Sequence, residues 1–259
     1  MTLLEKLFSE PGKKLIGYVP AGFPTAEGTK RIIKAMVNGG VDVIEVGFPY
    51  SDPVMDGPII QAAADEALRN GATAQTVLET LKYVSSLGIP GVVMTYWNPI
   101  EKYGVENFAR DIAANGGSGV ITPDLTVEEG EEWVAACKQN SINSIFVVAP
   151  STSDNRLKKV TDNCSGFVYA ASLMGVTGTR GAISNRAEEL VKRLRTVTQI
   201  PVSVGLGVSN AVQAEEVSKY ADGVIVGSAF IAKVQSAENF EVGLKEVELL
   251  AQELKAGIN

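Results

Sequence analysis

The chain is expected to fold as an α/β protein, a closed (β/α)8 barrel, on three observations. Short Val- and Ile-rich runs alternate with helical patterns eight times along 259 residues. Strands that alternate with helices imply a parallel sheet, and eight such units in a chain of this length match a closed barrel of the TIM type. No linker, low-complexity tract or change of composition divides the sequence, so residues 1–259 are read as one barrel domain. An open doubly wound sheet is the alternative, but no Gly-x-Gly-x-x-Gly follows the first strand.

In order, residues 2–9 read as a short amphipathic helix and Lys14 to Val19 as strand one. Thr25 serves as N-cap of a helix through Asn38, closed by Gly39 and Gly40. Strand two contains Glu45. Two helices follow it, Pro58 to Asn70 and Thr73 to Leu87, stopped by Gly71 and Gly88. Strand three is Val92 to Thr95, followed by a helix from Val105 to Asn115. Strand four, Val120 to Thr122, leads to a long helix from Thr126 to Asn140. Ser144 to Val148 and Phe167 to Ala171 are strands five and six, with a short helix from Ser153 to Asp162 between them. A helix from Asn185 to Thr198 precedes strand seven, Pro201 to Val204. A helix from Ser209, its expected N-cap, to Tyr220 precedes strand eight, Gly223 to Val226. A short helix from Ser228 and a longer one from Glu238 to Lys255 follow. The barrel thus carries extra helices at the N-terminus, after strand two and after strand eight.

Composition excludes several classes. The apolar fraction is 45% and the charged fraction 20%, as in water-soluble globular proteins. With 30 acids against 23 bases the net charge is −7, which argues against a nucleic-acid or membrane partner. The apolar runs are too short to span a bilayer, and the N-terminal residues lack a signal-peptide core. Cys137 and Cys164 have no metal or redox spacing, so a reduced, cytoplasmic protein is expected. There is no histidine. The commonest general base, the usual metal ligand and every nucleophile activated by His are therefore missing.

The stretch from Asp42 to Gln61 organises the chain. It starts as an apolar strand, breaks into a loop holding Pro49, Asp52, Pro53 and Asp56, and re-enters a helix at Pro58. Glu45 lies inside the apolar run. In a parallel sheet covered on both faces it is buried whichever way it points, and burial raises a carboxyl's pKa. A buried acid with a loop acid, Asp56, fits a general acid/base pair. A structural Glu paired with Arg or Lys, and a turn-forming Asp, would read the same way at this point. Other polar residues at strand ends are Thr95, Tyr96, Thr122, Asp124, Ser151, Tyr169 and Ser172. Asp124 reads as a turn acid before the Thr126 helix. No Lys stands on a strand end, which disfavours Schiff-base chemistry. Nor are there His ligands for a metal, so no metal is expected.

Gly205-Leu206-Gly207 follows strand seven, and Gly227-Ser228 follows strand eight and opens a short helix. Barrels of this type often hold phosphate there, on backbone N–H groups and a helix N-terminus. Glycines also make turns, but two such ends on adjacent strands favour a small phosphate ester. After strand six, Leu173 to Ser184 contains Gly175, Gly178 and Gly181 and reads as a lid, with a floppy insertion as the alternative.

Together these stretches resemble the tryptophan synthase alpha family. The run from Asp42 to Pro58 carries most of the likeness. Gly17 to Pro24, Tyr169, Gly175 to Gly178, Gly205 to Gly207 and Gly227-Ser228 complete it over nearly the whole chain. The resemblance implies retro-aldol cleavage of indole-3-glycerol phosphate to indole and glyceraldehyde 3-phosphate, without metal or Schiff base. It implies that Glu45 is the acid/base carboxylate and that Asp56 steadies charge on the indole N–H. By the same resemblance Tyr169 neighbours the reaction, and Phe23, Met94 and Ile121 line the indole pocket. Gly178, Gly207, Gly227 and Ser228 would form the phosphate site, and Thr177 would tie the lid to the loop acid. Leu206 stands where many relatives carry Phe, a departure that bears on affinity rather than reaction class. The resemblance further implies an α2β2 assembly with a beta subunit that carries pyridoxal phosphate, and no cofactor in this chain. A barrel that binds a phosphate ester without turnover, or one that only activates its partner, would share the glycines and loops without needing Glu45.

Overall fold

The computed structural model describes residues 1–171, 180–205 and 207–259, and for residues 180–185 the backbone alone. The elements run α1 (Leu3–Ser9), β1 (Lys14–Pro20), α2 (Ala26–Asn38), β2 (Val43–Gly47), α3 (Pro58–Arg69), α4 (Ala74–Ser86) and β3 (Gly91–Met94). Then come α5 (Trp97–Tyr103), α6 (Val105–Ala114), β4 (Gly117–Thr122), α7 (Glu131–Gln139), β5 (Asn143–Val148), α8 (Asp154–Thr161) and β6 (Val168–Ala171). The chain ends with α9 (Arg180–Arg195), β7 (Val202–Gly205), α10 (Ala211–Ser218), β8 (Gly223–Val226), α11 (Ser228–Ser236) and α12 (Phe240–Ile258).

The strands follow one another around a closed barrel in chain order, each parallel to the next, and β8 pairs back onto β1. Side chains alternate across a strand. Ile16, Val43, Val92, Ile121, Ile145 and Ile225 pack inside the barrel with Leu4 and Phe167. Leu15, Ile44, Val46, Val93 and Val120 face outward into the layer beneath the helices. Both faces are dry, so the strands read as unbroken apolar runs. Each fully buried Val, Leu or Ile contributes about 1.5–3 kcal/mol.

The N-terminal end of the barrel is stoppered by α1. Leu4 is fully buried in the interior cluster, and Phe8 packs on Phe167 at 5.7 Å. Thr2 Oγ1 donates to Asn143 Oδ1 (2.7 Å), and Asn143 Nδ2 donates to Glu5 Oε1 (2.9 Å). Thr2 and Glu5 also form a reciprocal capping box that starts the helix.

Four expectations change. A helix, α5, lies between strand three and the Val105 helix. The helix expected from Thr126 begins at Glu131, because residues 126–129 form a turn in which Glu129 N–H donates to Thr126 O (3.2 Å). Asn210, not Ser209, caps α10, its Oδ1 accepting from Gln213 N–H (3.0 Å). And α9 begins at Arg180 rather than Asn185.

Candidate active site

Glu45 stands in the middle of β2, between Tyr18 of β1 and Val92 of β3 in the sheet register. It shares its face with Val43, whose side chain lies in the interior cluster, so Glu45 points into the barrel. The residue is 1% exposed and its Oε2 has no hydrogen-bond partner. Burial, with the charge of Asp56 added, pushes its pKa up to about 8. No Arg or Lys forms an ion pair with it among the described residues. The reading of a structural Glu paired with a base therefore finds no partner among the described residues.

Two tyrosines flank this carboxyl. The Tyr18 phenol is buried and that of Tyr169 partly buried, and both are held neutral, first by desolvation and then by the nearby charges of Glu45 and Asp56. Space for their hydroxyls comes from glycines on the same inner face. A Cβ on Gly47 would overlap the Tyr18 hydroxyl and lie 2.6 Å from its Cζ. A Cβ on Gly205 would overlap the Tyr169 hydroxyl and lie 2.8 Å from its Cζ. Tyr18 was not singled out from sequence. The signal is its place two residues beyond Ile16 on the strand that pairs with Glu45.

Asp56 is half-buried in the loop between β2 and α3. Burial raises its carboxyl to about 6, opposed by a hydrogen bond from the Tyr96 hydroxyl. That hydroxyl also accepts from the Met55 N–H at 3.0 Å. Tyr96 packs on Tyr50 at 5.3 Å, and Tyr50 in turn accepts from Asn98 Nδ2 (2.7 Å). Asp124, expected to be a turn acid before a helix at Thr126, caps α5 instead, both its oxygens accepting from Trp97 N–H (2.9 and 3.1 Å).

The remaining expected residues fall into four groups. Met94, Ile121 and Tyr169 pack together on the barrel interior, Met94 pairing in register with both Gly47 and Ile121. Phe23 is 1% exposed and belongs to the outer cluster, against which Met94 also packs. Gly207, at a positive φ of 65°, follows β7, and Gly227 and Ser228 form the start of α11. The first N–H groups of a helix have no acceptors within it, so this corner presents donors to an anion. Thr177, Gly178 and Leu206 lie outside the described residues. Among the described residues no cluster of Cys, Asp or Glu could hold a metal ion.

The site as a whole offers one acid inside the barrel, a second acid on a loop over it, apolar walls and, at the start of α11, free helix N–H donors. The sequence pattern of the Tryptophan synthase alpha chain family matches residues 4–259. Tryptophan synthase alpha chain from Thermobifida fusca is 52% identical over 265 residues, covering 100% of this chain and 98% of its own. The Streptomyces avermitilis protein of the same name is 52% identical over 96% of this chain and 91% of its own. Among solved structures, tryptophan synthase from Mycobacterium tuberculosis, in an aminoacrylate-bound form, superposes with a TM-score of 0.90 at 42% identity, both chains being covered in full. The Legionella pneumophila alpha subunit superposes at 0.88 with 31% identity, over 99% of this chain and 96% of that one.

Proposed function

Since this chain belongs to the tryptophan synthase alpha chain family, we propose how its two acids divide the work of the reaction it catalyses. That reaction is the alpha step of L-tryptophan biosynthesis, the cleavage of indole-3-glycerol phosphate to indole and glyceraldehyde 3-phosphate. Glu45 is the acid and then the base. With its pKa held near 8 it is mostly protonated at neutral pH. It gives its proton to the ring carbon that bears the glycerol chain, which places positive charge on the indole nitrogen. Asp56, ionised above about pH 6, faces that N–H and offsets the charge as it develops. The Glu45 carboxylate then removes the proton of the adjacent glycerol hydroxyl. The O–H electrons form the aldehyde, the carbon–carbon bond breaks, and its electron pair returns to the ring. Indole leaves and Glu45 is again protonated.

The phosphate is held by backbone N–H groups at Gly178, Gly207, Gly227 and Ser228, and Thr177, from the segment after β6, ties that segment to Asp56. Phe23, Met94, Ile121, Tyr169 and Leu206 contact the indole. A beta subunit is the partner. We assign an α2β2 assembly in the cytoplasm, with pyridoxal phosphate in the beta subunit, none in this chain, and one domain for the whole barrel. No described helix is long and apolar enough to cross a membrane.

The observation that carries this reading is the inward-facing, unpaired carboxyl of Glu45. Its test is to mix the purified chain with indole-3-glycerol phosphate, with and without the beta subunit, and measure free indole. Substrate binding with no indole from either mixture would make the barrel a binding protein only.

A further inference from the structure

We infer that Tyr96 is a positioning residue for Asp56, its hydroxyl accepting from the N–H of Met55, the residue before that acid, so that the end of β3 sets where the loop acid stands. The inference rests on the reading of Asp56 given above.

The loop has few anchors of its own. Val54 is 81% exposed and Met55 47%. Its internal hydrogen bonds, Val54 N–H to Asp52 O (2.9 Å) and Asp56 N–H to Pro53 O (3.0 Å), shape it without tying it to the barrel. Gln61 of α3 holds the Asp56 backbone oxygen (2.9 Å), again within the same connection. The links to another strand end run to the segment after β3. One is the Tyr96 hydroxyl with Met55 and Asp56, and the other is Asn98 with the Tyr50 hydroxyl.

Tyr96 is itself fixed. It is 5% exposed and packs on Tyr50. The next residue, Trp97, begins α5 and is pinned through its N–H to Asp124. One phenol therefore joins the catalytic loop to a capped helix end.

The same contact acts on charge. A hydrogen bond to an ionised carboxylate favours the ionised form, whereas burial favours the neutral one. At Asp56 the two oppose each other. Among the described residues the groups that face Asp56 are Tyr18 from β1, Glu45 from β2, Tyr96 after β3 and Tyr169 from β6; Asp124 faces Tyr96. Of these, Tyr96 is the group that lowers the Asp56 pKa, against burial, which raises it.

The test is Tyr96→Phe, which keeps the ring on Tyr50 and removes the hydroxyl. Indole release by the full chain, with its beta subunit, is followed from pH 5 to 9. Expected is a fall of kcat of about tenfold at pH 7, little change in KM, and an acid limb displaced upward by about one pH unit. In an Asp56→Asn background the same substitution should change kcat less than twofold. An acid limb that stays in place, or an equal loss in the Asp56→Asn background, would make Tyr96 merely structural. Asp56→Asn with the full wild-type rate would overturn the reading of Asp56, and the inference with it.

Discussion

Replacing Glu45 by Gln should remove activity and, at high pH, stabilise the protein. The carboxyl titrates near 8 in the folded chain against 4.5 in an ordinary environment. Below pH 4.5 both states hold the proton and the group contributes nothing to pH dependence. Between 4.5 and 8 the folded chain keeps a proton that the unfolded chain has released, so stability falls as pH rises through this window. Above it the charge is buried, 1% exposed, with one oxygen unpartnered. The full penalty is on the order of 3–5 kcal/mol. Gln keeps the volume and carries no charge to bury. Thermal unfolding should place the variant roughly 5–15 °C above wild type at pH 9, with the gap closing near pH 4. The raised pKa of Asp56 is present in both chains and does not create the difference. Indole release should drop by about 10⁴-fold or more, since two proton transfers lose their group. A Tm gap that does not grow with pH would show that the carboxyl is not held neutral by burial. A variant retaining a tenth of the rate would remove Glu45 from both proton transfers.

Wild-type kcat should follow a bell, falling below about pH 6 as Asp56 is protonated and above about pH 8 as Glu45 loses its proton; a profile flat from pH 5 to 9 would contradict the assignment. Gly47→Ala drives a methyl into Tyr18, and overpacking of this kind costs about 1–3 kcal/mol. Its denaturation midpoint should fall and kcat with it, and unchanged values would mean that Tyr18 does not occupy that space. Gly227→Val fills the corner at the start of α11 and presses on Tyr18, whose Cβ would lie 3.3 Å from the new Cβ. Each lost hydrogen bond to a charged group is worth about 1.5–3 kcal/mol, so KM for the phosphate ester should rise at least tenfold; an unchanged KM would move the phosphate elsewhere.

The barrel and its carboxylate were legible because their signals are local. Burial on both faces makes every strand an apolar run, and an acid inside such a run stands out. Thr25 and Pro58 likewise marked their helices through contacts a few residues away, Thr25 accepting from Gly28 N–H (3.0 Å). What stayed hidden depends on distant partners. Helix α5 contains Pro99 and has no side-chain cap from its own N-cap residue; the cap is Asp124, 27 residues on. Thr126 with Glu129 has the spacing of a capping box but forms a turn. There the Thr126 hydroxyl donates to the Glu129 carboxylate (2.9 Å), and Gly130 packs tightly against Thr126 O and Phe146. Tyr18 and Tyr96 were unassigned for the same reason. Their roles follow from Gly47, Glu45, Met55 and Asp56, which only the closed barrel brings beside them.

The plug formed by α1 gives the barrel a direction of traffic. With Leu4 and Phe167 packed across one end, and Thr2, Asn143 and Glu5 tied around it, a small apolar product formed inside the barrel would meet a floor. At the other end Met94 and Tyr169 are only partly buried, and Val54 and Met55 stand in solvent. A partner seated on that rim would receive indole before the surrounding water does, and the handover would need no pump and no signal, only a vessel closed at the bottom.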